Sequence, residues 1–202
     1  MKKICIIDYG LGNIRSLYNS LKKIGFFPKF YSECKNESFD IIFIPGVGSF
    51  NKASSLLNSP DLKSFLDQSK KKSVIFGICL GMQILLSKGN EGGEHNGLDY
   101  IDGSVDSLNK NLILPNVGYQ KTFFLEQEYF NYLKKFNNEE FYFIHSYVAN
   151  VKNHKNILAT SSSQDVKYCA AVCDERVIGT QFHPEKSGEI GLQLLYEVIK
   201  NI

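Results

Sequence analysis

Residues 74–82 read Val-Ile-Phe-Gly-Ile-Cys-Leu-Gly-Met. The apolar beginning of this stretch predicts a buried strand, and the residues from Met82 to Leu86 predict a helix that follows without a linker. Gly77 and Gly81 bracket Cys79 in the pattern Gly-x-Cys-x-Gly. Glycines there permit a strained turn and a close approach of strand to helix, so the sulfur is presented at the top of the turn. The stretch therefore predicts an α/β fold with a nucleophile elbow.

Strand and helix patterns alternate before the elbow. They comprise a strand over Lys3 to Asp8, a helix from Ile14 to Ile24, a strand over Asp40 to Ile44 closed by Pro45-Gly46, and a helical stretch around Leu62 to Leu66. Such alternation predicts an open, mostly parallel sheet covered by helices.

After Gly97 the pattern changes to short extended runs separated by Asn, Ser and Gly. The runs are Leu112 to Leu114, Glu140 to Ile144, Ile157 to Thr160, Tyr168 to Cys173 and Val177 to Phe182. We interpret them as mixed or antiparallel additions to the sheet. A final helix is predicted from Glu189 to Ile199.

Size and charge narrow the class of protein. A chain of 202 residues with 43% hydrophobic composition can bury one sizeable core, and we expect one domain over residues 1–202. The formal net charge of +2 gives no reason to expect a nucleic-acid or anionic membrane surface. The apolar segment Ile4 to Ile7 is too short for a signal-peptide core or a membrane span.

The five cysteines form no CxxC pair, so we predict no metal site and no cofactor, and free thiols in a reducing cytoplasm. Cys169 and Cys173 lie four apart in a predicted strand, where even spacing places both side chains on one face. We interpret them as small buried residues rather than as a metal-binding pair.

A cysteine nucleophile needs a base, and His183 follows the predicted strand that ends at Phe182. Pro184 fixes the local backbone, so Glu185 can turn back and orient one ring nitrogen while the other faces Cys79. Unpaired amides at a helix start would also favour the thiolate of Cys79. Taken singly, each residue has a structural alternative: a buried cysteine after a strand, or a histidine satisfied at a strand end.

Two motifs together resemble the class I, or triad-type, glutamine amidotransferases, whose fold is flavodoxin-like. They are the nucleophile motif at 77–83 and Phe-His-Pro-Glu at 182–185. Within that family the stretches 8–13, 142–147 and 183–188 are similar to the glutaminase subunits of imidazole glycerol phosphate synthases of histidine biosynthesis.

The resemblance implies that Cys79 attacks the side-chain amide of glutamine, that His183 transfers protons, and that Glu185 orients His183. It implies an oxyanion hole near Gly46, Val47 and Leu80. The residues implied to bind glutamine are Gln83, Glu91, His145, Ser146 and Tyr147. For His145, a histidine satisfied within a strand is an equal alternative.

The resemblance also implies a partner, a separate (β/α)₈-barrel cyclase subunit that receives the ammonia in a cytoplasmic heterodimer. Asn13 and Lys186 match positions at the subunit interface, and the segment with Asn116 and Tyr119 faces the partner. A loop asparagine and a solvated lysine are the structural alternatives for the first two.

The segment Pro-Asn-Val-Gly-Tyr-Gln at 115–120 departs from the family pattern Pro-His-x-Gly-Trp-Asn. The departure leaves open a paralogous glutaminase that supplies ammonia to a synthetase of acetamidino sugars in surface glycans. A binding module without catalysis, and a cysteine peptidase on a similar elbow, are alternatives that the retained triad, Gln83 and Glu91 disfavour.

Overall fold

The computed structural model describes residues 2–35, 37–108 and 113–202. Its strands are β1 Ile4–Ile6, β2 Lys29–Phe30, β3 Ile41–Gly46, β4 Val74–Cys79, β5 Leu86–Gly89, β6 His95–Asn96, β7 Ile101–Ser107, β8 Asn116–Phe124, β9 Glu139–His145, β10 Tyr147–Val151, β11 Ile157–Ser163, β12 Val166–Asp174 and β13 Val177–Thr180. Its helices are α1 Ile14–Lys23, α2 Phe50–Leu57, α3 Pro60–Ser69, α4 Leu80–Gln83 and α5 Gly188–Lys200.

The strands form one mixed sheet with a parallel centre. Its main path runs β2-β1-β3-β4-β13-β12-β10-β7-β5-β6, and β11, β8 and β9 branch from β12. The pairs from β2 to β13 are parallel, and those added by β12, β10 and the branch are antiparallel. The predicted α/β architecture, parallel in the centre with antiparallel additions in the C-terminal half, is confirmed.

The central strands are apolar on both faces because helices cover both sides of the sheet. In β3, Ile41 and Phe43 join a core that includes residues of α1 and α5, whereas Ile42 and Ile44 join a second core with residues of α2 and α3. This alternation is the period of two expected for a strand between two layers. These buried strands place both parts of the predicted site, Cys79 and His183, on one sheet.

The chain after the elbow differs from its prediction. A helix was expected from Met82 to Leu86, but α4 is a single turn and Leu86 already begins β5. The carbonyls that would continue the helix are taken by a later segment: the Ile84 carbonyl accepts from the Leu98 amide at 2.7 Å, and the Leu85 carbonyl accepts from the Tyr100 amide at 2.9 Å. So short a helix has a small macrodipole. Stabilisation of a Cys79 thiolate therefore has to come from groups that lie close to the sulfur.

Other boundaries also shifted. Strand β3 continues through Pro45 to Gly46, which pairs with Cys79 of β4, instead of closing before them. The segment 116–120 lies in the long strand β8. Of the predicted run 112–114, Leu112 lies outside the described residues, and Ile113 and Leu114 are not in a strand.

Cys169 and Cys173 are both buried, but they face opposite cores, contrary to the expectation from even spacing. The pairing of β11 with β12 shifts register where Thr160 faces Cys169 and Ala159 faces Ala171. This bulge leaves one residue of β12 without an opposite neighbour and reverses the alternation beyond it. The two sulfurs therefore cannot share a ligand.

No described helix is long and apolar enough to cross a membrane. The residues that the structure describes contain no group of three or more His, Cys, Asp or Glu side chains suited to a metal ion.

Candidate active site

The elbow holds Cys79 in a conformation that few side chains adopt, with φ 55° and ψ −110°. Its glycines are required by contact. A Cβ atom at Gly81 would lie 1.7 Å from the Ile44 carbonyl oxygen of the neighbouring strand, and one at Gly77 would lie 2.3 Å from the Gly81 oxygen. Strand and turn thus touch through their main chains, and the strained residue between them is the proposed nucleophile.

His183 and Glu185 form a buried pair. The Nδ1 atom of His183 lies 2.7 Å from Oε1 of Glu185, and both side chains are at most 5% exposed. Their turn is fixed against β9: the His183 amide donates to the Tyr142 carbonyl at 2.9 Å, and Ser187 Oγ accepts from the Tyr142 amide and donates to the His183 carbonyl. The turn positions the imidazole before any ligand binds.

Burial alone would lower the pKa of His183, but the nearby acidic groups of Cys79 and Glu185 outweigh it and raise the pKa to about 10. With Nδ1 facing Glu185, the ring edge left for Cys79 is Nε2, which makes no well-formed hydrogen bond within the described chain. The site therefore favours a protonated imidazole between two acidic groups, the state that a Cys-His-Glu triad uses.

A cavity of about 270 Å³ opens beside the sulfur. Its walls are Val47, Gly48, Cys79, Leu80, Gln83, Glu91, Ile144, His145, Ser146 and Tyr147. All five residues implied to bind glutamine, which come from two separate stretches of the sequence, line this one cavity. Its volume is below that of typical drug-sized pockets, and a free amino acid matches it better than a peptide does.

Gln83 and Glu91 are both held by the protein itself. The Gln83 Nε2 group donates to the Tyr147 carbonyl at 3.0 Å and to Gln181 Oε1 at 2.9 Å. Glu91 Oε2 accepts from the Phe50 amide at 2.6 Å, so this carboxylate caps α2 as well as lining the cavity. Both side chains are oriented in advance.

His145 uses both ring nitrogens within the protein. Nδ1 lies 2.9 Å from the Tyr147 carbonyl, which can only accept, so Nδ1 carries the proton; Nε2 then accepts from the Asn116 amide at 2.9 Å. Burial lowers the pKa of His145 to about 4, against the hydrogen bond to Tyr147 and helped by the charge of His183. The His145 ring therefore matches the structural alternative, a histidine whose hydrogen bonds are all made within the protein.

Gly46 and Leu80, two of the residues assigned to the oxyanion hole, meet at the elbow. Gly46 pairs with Cys79 in the sheet, and a Cβ atom there would lie 3.0 Å from Leu80 Cβ. Leu80 is the first residue of α4, and the first amides of a helix have no intrahelical partner. Val47 follows Gly46 at the cavity wall, and Gly48 beyond it has φ +116°, a conformation suited to glycine.

The model of the family described as glutamine amidotransferase class-I matches residues 5–200. The chain belongs to this amidotransferase family. Among curated relatives, subunit HisH of imidazole glycerol phosphate synthase from Saccharolobus solfataricus is 38% identical over 190 residues, which are 94% of this chain and 93% of that one. The Bacillus cereus subunit of the same name is 39% identical over 199 residues, 95% and 91% of the two chains.

A solved structure shares the fold at low identity. The structure titled PurLQS from Thermotoga maritima superposes with a TM-score of 0.75 at 17% identity, covering 99% of both chains. The family resemblance read from the two motifs, and the fold that it implied, are thus confirmed.

Of the four residues predicted at a partner interface, Asn13 and Tyr119 are exposed, Lys186 is partly exposed and Asn116 is buried. Asn13 caps α1 by accepting from the Ser16 amide at 3.2 Å. Tyr119, 55% exposed, donates through its hydroxyl to the Lys186 carbonyl at 3.0 Å. Asn116 differs from the expectation, because its side chain is 4% exposed and turned to His145. It can affect a partner only through its neighbours.

Sequence reasoning missed three residues that hold the site. Ser187 locks the His183 turn, and Gln181 lies against Cys79 with Nε2 3.6 Å from Sγ. The Tyr9 hydroxyl is buried beside Gly46 without a partner in the described chain; burial and the charge of Cys79 raise the pKa of Tyr9. Gln181 carried a usable signal, a polar residue in an apolar strand end two positions before the histidine.

Replacing Gly81 by alanine should lower the free energy of unfolding by about 3 kcal/mol or more, because the new methyl group meets a main-chain oxygen that cannot move alone. Chemical denaturation measures the change. The matched control is Gly25→Ala, where φ is +88° but the space is open, so only backbone strain of about 1 kcal/mol is expected. Equal losses in the two variants would contradict the contact.

His145 should make the protein sensitive to acid. Its pKa is lower folded than unfolded, so the unfolded state takes up the proton first, and stability present above about pH 6.5 falls as the pH drops toward 4. Between pH 7 and pH 5 we expect wild type to lose about 2 kcal/mol more than His145→Gln, which has no such titration. Denaturant unfolding at both pH values tests this, and parallel losses would refute it.

Proposed function

We propose that this amidotransferase hydrolyses glutamine to glutamate and ammonia as the glutaminase subunit of an imidazole glycerol phosphate synthase. The observation that carries the proposal is the cavity of about 270 Å³, with Cys79 in its wall and Gln83 and Glu91 oriented around it. The Saccharolobus solfataricus and Bacillus cereus relatives are both named HisH subunits of that synthase, and these names support the pathway.

Cys79 attacks the side-chain carbonyl carbon of glutamine, and the negative charge on the oxygen is held by amides near Leu80 and Val47. His183 donates its proton to the leaving nitrogen as the C–N bond breaks, which releases ammonia and leaves a glutamyl thioester. His183 then takes a proton from water, whose oxygen attacks the thioester, and the thiolate returns as glutamate leaves. Glu185 keeps the imidazole oriented and offsets its positive charge.

Ammonia that escapes into water is protonated, so the proposed product needs a receiver close to Cys79. We propose a (β/α)₈-barrel cyclase subunit that forms a cytoplasmic heterodimer with this chain and takes ammonia directly. An exposed apolar pair supports a docking face beside the cavity: Val117 of β8, 53% exposed, pairs with Ile144 of β9, 37% exposed, and Ile144 also lines the cavity. Tyr119 and Lys186 flank this pair. No cofactor is proposed.

The segment 115–120 supports a second candidate, a glutaminase that feeds a sugar-amidating synthetase. Asn116 and Gln120 bond to each other, with Gln120 Nε2 donating to Asn116 Oδ1 at 2.5 Å, and Tyr168 joins them. This network, which Asn116 also links to His145, stands where the family pattern has histidine and asparagine. Both candidates share the first half-reaction and differ in the receiver.

Substitution of Cys79 by alanine should abolish glutamine hydrolysis, with a loss of about 10⁴-fold or more, because no other group near His183 can form the thioester. Glutamate release measures this. The matched control is Cys173→Ala, a buried cysteine outside the cavity, which should keep wild-type turnover. Undiminished hydrolysis by the Cys79 variant would remove the mechanism.

Mixing the chain with a purified imidazole-forming cyclase and its ribulosyl substrate should yield imidazole glycerol phosphate from glutamine, and Cys79→Ala should bind the cyclase yet yield none. Product formation from added ammonium salt is the control for an active cyclase. Glutamine turnover without product above background would reject the histidine pathway and favour the sugar-amidating synthetase.

A further inference from the structure

We propose that Gln181 is a positioning residue that fixes which groups donate and which accept hydrogen bonds between the glutamine site and the Cys79 sulfur. Its side chain donates to the Cys79 thiolate. It also holds Gln83 so that Gln83 accepts a hydrogen bond from the substrate. The inference rests on the proposed glutaminase function.

Gln181 lies at the end of β13, between the nucleophile and the binding residues. It is fully buried, its amide donates to the Ala170 carbonyl at 2.8 Å, and its side chain spans two functional groups. Oε1 accepts from Gln83 Nε2 at 2.9 Å, and Nε2 lies 3.6 Å from Cys79 Sγ. The side chain therefore connects the cavity wall to the sulfur.

A side-chain amide can turn over and exchange its oxygen and nitrogen, but the Tyr147 carbonyl prevents this here. That main-chain oxygen only accepts, and it lies 3.0 Å from the end of Gln83, so the NH₂ group of Gln83 must face it. The same NH₂ group faces Gln181, which must present Oε1 in return. The other end of Gln181, facing Sγ, is then its NH₂ group.

Two described groups lie within hydrogen-bond distance of Sγ: the Ile144 carbonyl at 3.7 Å, which only accepts, and the N–H group of Gln181. The N–H group stabilises a thiolate, because a donor favours the charged form of an acceptor in a buried site. With so short a helix as α4 after the elbow, this donor supplies part of what a longer helix would give. The chain of contacts also has a consequence for recognition. Both N–H groups of Gln83 are used internally, and its Oε1 has no hydrogen-bond partner among the described residues, so Oε1 accepts from a donor on the substrate, an ammonium or an amide.

The test is the rate of alkylation of Cys79 by iodoacetamide as a function of pH, followed by mass spectrometry of the peptide that contains Cys79. In Gln181→Met the sulfur loses its donor, and the midpoint of the alkylation curve should move up by about one pH unit, a tenfold lower thiolate fraction below the midpoint. Gln83→Met changes neither of the groups that hydrogen-bond to the sulfur, but it removes the anchor of Gln181. The midpoint should move the same way by a smaller amount.

The KM for glutamine should rise at least several-fold in both variants.

Thr180→Val is the matched control, at the residue next to Gln181. It removes a buried hydrogen bond from Thr180 to the Phe182 carbonyl, and it should keep the wild-type midpoint and KM. A merely structural role for Gln181 would lower the melting temperature without moving the midpoint of the folded protein.

An unchanged midpoint in folded Gln181→Met overturns the proposal. If that variant does not fold, an unchanged midpoint in Gln83→Met overturns it instead. A wild-type chain that fails to hydrolyse glutamine would reject the proposed function. Alkylation requires no turnover, so the comparison of alkylation midpoints would still test whether Gln181 donates to the sulfur.

Discussion

The close contact between Gly81 and the Ile44 carbonyl governs the geometry of the whole site. No side chain fits in that gap, so β3 and the turn after β4 are held at main-chain distance. This contact forces Cys79 into its positive-φ conformation and places Gly46 directly beside it. A strained residue persists only when its surroundings determine its position, and here two buried strands do so.

The other half of the site is brought in by the parallel pairing of β13 with β4. Thr180 lies beside Ile78, so Cys79 at the end of β4 and the residues Gln181 to His183 just beyond β13 emerge at the same edge of the sheet. Ligands of open α/β sheets bind at the carboxyl ends of the strands for this reason. The antiparallel branch then adds β9, whose carbonyls at Tyr142 and Ile144 contact the His183 amide and Cys79 Sγ.

The fold was predictable, and Cys79, His183 and Glu185 could be singled out as a candidate triad, because their signals are local. Long apolar runs mark the buried strands, and Gly77 and Gly81 mark a turn that only glycine permits. The length of α4 was not predictable, since Leu98 and Tyr100, more than ten residues later, take the carbonyls that would extend it. The faces of Cys169 and Cys173 depended on a bulge set by the neighbouring strand. The role of Gln181 depends on the main-chain carbonyl of Tyr147, and the position of a main-chain carbonyl cannot be read from residue types.

Strand β9 and the residues after it supply four main-chain groups to the hydrogen bonds around the active site: the amide and carbonyl of Tyr142, the carbonyl of Ile144 and the carbonyl of Tyr147. The side chain of Ile144, by contrast, is 37% exposed. A main-chain contact is indifferent to residue identity, so outward-facing side chains here can be exchanged while the hydrogen bonds around the sulfur persist. Under the proposed function, one ammonia-producing unit can in this way be fitted, by surface substitution alone, to more than one receiving enzyme.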